Sequence, residues 1–194
     1  RLTYIELPEA YHSRSEANRL GIPSLYPDGI FRSVYRPSFD GLVAYYPFDG
    51  DAKDASGNGN DALYESTFLT NDRFGQPNSS WGFLSSSVRV PVSSLHGLND
   101  GAGFTLSLWV ENDDQISQGN RAIIALGRPA HNESFGLFLK DGHVAFSQWG
   151  GPTHVITDYL LDNKKWTHLR AVYEKSNNED LGIVQVFANG QLLF

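Results

Sequence analysis

The sequence of 194 residues contains no cysteine, which rules out disulfides and cysteine metal sites. A chain of this length can bury a core large enough to hold without cross-links, so the absence is compatible with secretion. Methionine is also absent, and the chain is therefore expected to be an interior fragment or processed product of a longer polypeptide. No run of about 18 apolar residues offers a membrane span, and no signal-peptide pattern stands at Arg1. Basic residues are the scarcer sign, 15 Lys and Arg against 22 Asp and Glu, for a net charge of −7. Without a basic stripe, nucleic acid and anionic lipid surfaces are poor partners. The acidity serves solubility and also suits divalent cations.

Hydrophobic residues supply 40% of the chain and charged residues 19%, the balance of a globular domain with an apolar core. Residues 1–40 stand apart. They are rich in Tyr, Phe and Arg, carry Pro8, Pro23, Pro27 and Pro37, and show no sustained period of two. Ser13-Arg14-Ser15-Glu16 reads as a capping box, with Gly21 as the stop and Pro23 beyond it, and predicts one short helix over Arg14–Leu20. Tyr26-Pro27-Asp28-Gly29 is a turn signal. The segment reads as an irregular arm or linker that packs on its own domain or on a neighbour.

From Gly41 the pattern becomes all-β. Leu42–Phe48 is β-branched and aromatic and predicts a strand closed by Asp49-Gly50. Phe104, Leu106, Leu108 and Val110 alternate with Thr105, Ser107 and Trp109, and Phe135, Leu137 and Leu139 repeat the alternation. Asp141-Gly142 and Asn189-Gly190 are two-residue hairpin turns. Trp166–Tyr173 and Ile183–Ala188 complete the strand set. No helical period of useful length occurs after residue 41. The fold class is thus all-β, an antiparallel two-sheet sandwich over residues 41–194. Its inward residues are expected to include Phe104, Leu106, Leu108, Leu137, Phe146 and Val186. Since the Asn189-Gly190 turn calls for a return strand and only Gln191–Phe194 follows, the polypeptide is expected to continue and close the sandwich edge.

Ordered phrases carry a family resemblance. Gly41-Leu42-Val43-Ala44-Tyr45-Tyr46-Pro47-Phe48-Asp49-Gly50 is followed by Asp54-Ala55-Ser56-Gly57-Asn58-Gly59-Asn60-Asp61-Ala62. Next come Asp72-Arg73-Phe74-Gly75-Gln76-Pro77-Asn78-Ser79 and Val88-Arg89-Val90-Pro91. Then follow Phe104–Val110, Trp166-Thr167-His168-Leu169 and Val186-Phe187-Ala188-Asn189-Gly190-Gln191-Leu192. In this order they resemble the laminin-G-like jelly-roll domains of the concanavalin A-like lectin/glucanase superfamily. Ala62 departs from the glycine usual there, and the family's last strands would lie beyond Phe194. The resemblance implies an extracellular or cell-surface recognition or adhesion module that binds a protein or glycan and has neighbouring domains in a larger assembly. The alternative it leaves open is a carbohydrate-binding module attached to a glycan-active enzyme.

The loop Asp49–Asp61 gathers Asp49, Asp51, Asp54, Asn58, Asn60 and Asp61 around three glycines. Calcium needs six to eight converging oxygens, which such residues supply, although the spacing is not that of an EF-hand. The competing reading is a turn-rich loop held by Asx-type hydrogen bonds. Relatives often place a structural calcium near this loop, which the resemblance would assign to Asp54, Asn58 and Asn60. Glucanases of the superfamily use E-x-D-x-x-E on one strand. Glu111-Asn112-Asp113-Asp114-Gln115-Ile116 lacks the closing Glu, so catalysis is not expected. The six His show no metal-binding spacing, and His168 reads as a packing residue. Trp149 and Tyr159 are candidates either to stack on a sugar ring or to plug a loop, and Trp81 has no evident place in the core. Asn78-Ser79-Ser80 and Asn132-Glu133-Ser134 fit the glycosylation acceptor pattern, at a frequency that chance also supplies.

Overall fold

Strands form where apolar and polar residues alternate. The structure, a computed structural model, describes residues 2–3, 41–65, 67–83, 87–90, 103–112, 119–127, 134–148, 154–175 and 182–194. In chain order the strands are β1 (Leu2–Thr3), β2 (Leu63–Glu65), β3 (Phe68–Thr70), β4 (Ser80–Gly82), β5 (Ser87–Arg89), β6 (Phe104–Glu111) and β7 (Asn120–Gly127). They continue as β8 (Ser134–Lys140), β9 (His143–Gln148), β10 (His154–Leu160), β11 (Trp166–Lys175), β12 (Gly182–Ala188) and β13 (Gln191–Leu192). A seven-stranded sheet has the order β13-β12-β11-β6-β1-β4-β3, a four-stranded sheet the order β10-β9-β8-β7, and β2 pairs with β5 alone. The described residues include no helix, so none long and apolar enough to cross a membrane. The expected helix Arg14–Leu20 lies outside the described residues.

The main core lies between the two larger sheets. Leu106, Leu108 and Val110 of β6, Leu169 and Ala171 of β11, and Val186 and Ala188 of β12 form one wall. Ile123, Leu137, Leu139, Val144 and Phe146 form the other. Of the residues expected inside, Leu106, Leu108, Leu137, Phe146 and Val186 are buried, and Phe104 is partly buried against them. Removing such a Leu or Phe side chain from water stabilises the fold by about 1.5–3 kcal/mol each. A second cluster joins Tyr46, Phe48, Ala52, Ala62 and Trp81, with Phe83, Val88 and Val90 packed on it. Trp81, which the sequence pattern did not place, is its most buried member.

Both predicted two-residue hairpins are present. Asp141 and Gly142 have φ of 49° and 84°, and Asn189 and Gly190 have 48° and 83°. Two successive positive values define the turn whose twist matches that of the flanking strands. They join β8 to β9 and β12 to β13.

Two findings depart from expectation. Leu42–Phe48 belongs to no strand. Side chains of a loop described below bond its Val43 carbonyl and Tyr45 amide. And β1 pairs with β6 through Leu2↔Val110 and Thr3↔Trp109, and with β4 through Leu2↔Trp81. Residues Arg1–Glu6 accordingly group with Val43–Phe194 as one compact unit, and Leu7–Leu42 counts as another.

Candidate ligand-binding face and the acidic loop

Register fixes which side chains share a surface, because direct cross-strand partners stand on the same face. Leu108 is paired with Leu169, and Leu169 with Ala188, all core-facing. The intervening residues therefore face outward. One outward row joins Trp109 to His168, and the next joins Ser107, Arg170, Phe187 and Leu192.

Contacts bind these rows into a connected surface. The Trp109 and His168 rings lie 5.2 Å apart, and the Arg73 guanidinium sits 4.3 Å from the Trp109 ring centre and 4.1 Å from that of Phe74. Arg170 lies 4.2 Å over Phe187. His168 Nε2 and Ser107 Oγ are 2.8 Å apart, and the His168 amide donates to Asn189 Oδ1 at 3.0 Å. Trp109, His168 and Phe187 are half-buried and Arg170 is exposed. The face thus carries π surfaces, two guanidinium groups and an imidazole, with the Ser107 hydroxyl buried beneath against His168. Such a set can hold the C–H face of a sugar or an aromatic or acidic side chain.

The acidic loop is built differently. Asp54 Oδ1 accepts from the amides of Tyr45 and Ser56, each at 2.9 Å. Its Oδ2 accepts from the Ser56 hydroxyl at 2.8 Å and the Asn60 amide at 3.0 Å. Asn58 and Asn60 each donate a side-chain N–H to the Val43 carbonyl, at 3.1 and 2.7 Å. Asp61 Oδ1 accepts the Asp54 amide at 2.9 Å, and the Tyr46 hydroxyl donates to the Asn60 carbonyl at 2.6 Å. Burial alone raises the Asp54 carboxyl, but the hydrogen bonds from Tyr45, Ser56 and Asn60 outweigh it and hold it below the ordinary 3.8. Burial, and then the charges of Asp54 and Asp61, push the Tyr46 phenol upward, so it remains a donor.

The three residues singled out for calcium are thus brought together, on the chain's own groups. Calcium takes six to eight oxygens, and Asp54 gives both of its own to N–H and O–H donors. The residue at odds with a closed loop is Asn60, 2% exposed, whose Oδ1 accepts no hydrogen bond. Among the described residues no group of three or more His, Asp or Glu could hold a metal ion. As arranged, the loop does not fit a calcium ion held by Asp54, Asn58 and Asn60.

A family model of the laminin-G type, described as the concanavalin A-like lectin/glucanases superfamily, matches residues 84–193. That is more than half of the chain. The chain belongs to this superfamily. No curated protein and no solved structure matches it. Laminin-G-like domains are commonly non-catalytic binding modules. In this laminin-G-like domain the match spans the strands that carry Trp109, His168, Arg170 and Phe187, but not the Asp49–Asp61 loop or Arg73.

The other sequence-chosen positions scatter over the laminin-G-like unit. Tyr159 is partly buried against the main core, with its hydroxyl 3.5 Å from Asn189 Nδ2. Trp149 and Asn132 lie outside the described residues, whereas Asn78 is exposed in a turn with φ of 57°. Glu111 is buried at the end of β6, opposite Trp166. Sequence reasoning passed over Trp109, Arg73, Arg170 and Phe187. Trp109 had a signal: a tryptophan out of phase with the apolar alternation of its strand must stand on the outer face.

Proposed function

We propose that this chain is a non-catalytic recognition module whose outer seven-stranded face binds a protein or glycan partner, within a larger extracellular or cell-surface protein. The observation that supports it is the Arg73–Trp109–His168 stack on the side of the seven-stranded sheet away from the main core. The outer face of an antiparallel sheet is commonly polar, and this one carries half-buried rings flanked by guanidinium groups. Glycosylation at Asn78 and Asn132 and a role in adhesion belong to the same extracellular reading.

A glycan array and a capture assay with extracellular proteins test it, each run with the intact chain, Trp109→Ala and Arg170→Ala. Binding that falls at least about tenfold in Trp109→Ala, with unchanged circular dichroism, supports the face. Binding unaffected by both substitutions sinks it. A glycan-only profile would favour a carbohydrate-binding module attached to an enzyme. Turnover of a β-glucan that vanishes in Glu111→Gln would overturn the non-catalytic reading.

A further inference from the structure

On the outer face of the seven-stranded sheet, Arg170 is a cation without a counter-charge. It is exposed, and its guanidinium lies 4.2 Å over the Phe187 ring. Among the described residues that guanidinium makes no ion pair and no hydrogen bond, whereas Lys140 and Lys165 are paired with Asp141 and Asp162. The acids that share its face stand apart from it. Register puts the row of Trp109 and His168 between Arg170 and Glu111. The row of Thr105, Val172 and Gln185 separates it from Glu174. Its near neighbours on the face are apolar. Leu192 pairs with Phe187 and is 51% exposed, and Val172 is half-buried.

We propose that this patch binds an acidic peptide segment of a protein partner, an Asp or Glu carboxylate engaging Arg170 while an apolar side chain covers Phe187 and Leu192. The proposal rests on the reading of the outer face as the binding surface and names what that surface takes. A guanidinium held over a ring loses rotamer freedom, yet its N–H groups lie at its rim. Two of them match the two oxygens of a carboxylate, in parallel and charge-assisted hydrogen bonds. The surroundings favour a peptide over a sugar. A sugar carries hydroxyls around its ring that need polar partners, and close to Arg170 the Ser107 hydroxyl is buried against His168. Leu192, Val172 and the ring of Phe187 are matched instead by the aliphatic or aromatic side chains of a protein. The net charge of −7 opposes an acidic partner at long range, but salt screens it beyond about 8 Å. The contact at Arg170 therefore decides the preference.

An array of short peptides tests this. Each peptide sets Asp or Glu beside Leu or Phe and has a counterpart with Asn or Gln. The array is probed with the intact chain, Arg170→Gln, Arg170→Lys and Trp109→Ala. Acidic peptides are expected to bind at least about tenfold more tightly than their amide counterparts. The preference should vanish in Arg170→Gln at unchanged melting temperature, the site being exposed. Arg170→Lys should restore only part of it, since an ammonium keeps the charge but lacks the fork. Equal binding of acidic and amide peptides overturns the proposal, as does a preference that persists in Arg170→Gln. Silence of every peptide also overturns it. Should a glycan be bound at the same time and be released by Trp109→Ala, the outer face still stands as the binding surface and only the acidic peptide falls.

Discussion

The Tyr45 amide donates to Oδ1 of Asp54 at 2.9 Å, a bond that a neighbouring strand would otherwise have satisfied. With the Val43 carbonyl taken by Asn58 and Asn60, the side chains of the acidic loop replace a ladder along 43–45. Asp54 is the hub, because it accepts four hydrogen bonds at its two oxygens. Asp54→Ala is expected to destabilise the domain by about 2 kcal/mol, measured by urea unfolding.

Acid should act at the same residue. A carboxyl held below its ordinary 3.8 contributes stability that is present above that value. The contribution is lost as pH falls through the lower folded value. Asp54→Asn retains one acceptor but has no charge to lose. Melting temperatures recorded downward from pH 5 should therefore fall less steeply for Asp54→Asn than for the unaltered chain below pH of about 4. Parallel curves would remove Asp54 from the account.

Calcium gives a separate test. A ligand that binds only the folded state raises the melting temperature with its concentration. Because the Asp54 oxygens are engaged within the chain, the expected outcome is the same melting temperature in calcium and in chelator. A calcium-dependent rise abolished by Asp54→Ala would show that the ion displaces these hydrogen bonds.

The core makes a graded prediction. Leu169 is fully buried between the sheets, and Leu169→Ala should cost about 2–5 kcal/mol, as cavity-forming substitutions do. Ile183, 58% exposed, should lose less than about 0.5 kcal/mol on change to Thr. Equal losses at the two sites would contradict the assignment of faces.

At the β12–β13 turn, Gly190 has φ of 83°, where a side chain is strained. Gly190→Ala is expected to destabilise by about 1 kcal/mol. Asn189→Gly keeps the turn but removes the Oδ1 that accepts the His168 amide. An amide-exchange rate at His168 that rises in Asn189→Gly but not in Gly190→Ala would separate the two roles.

Much of the main sandwich could be read from sequence, because its information is local. Leu106, Leu108 and Val110 announce their face by alternation, and Asp141-Gly142 and Asn189-Gly190 announce their turns by chemistry. Leu42–Phe48 looked like a strand for the same local reasons, but a strand requires a partner, and its partner is a set of side chains. Leu2–Thr3 could not be found, since two residues carry no period. The Arg73–Trp109 stack escaped because it joins residues 36 positions apart through cation–π geometry, which leaves no pattern along the chain. For the loop, the same Asp and Asn residues suit either a cation or a hydrogen-bonded clasp, and only the direction of each oxygen separates the two.

The position of β1 bears on how the chain acquires its structure. Its two residues lie between β4 and β6, with direct partners about 80 and 110 positions away. Nothing nearby in sequence can hold them there, and the loops to be closed are long. Pairings at such separation slow folding far more than they alter final stability. During synthesis Leu2 and Thr3 precede both of their partners and would be among the last strand residues of the sheet to settle. The hairpins around Asp141 and Asn189 can close within microseconds of becoming available, whereas the centre of the larger sheet must wait for β1 to reach its place between β4 and β6.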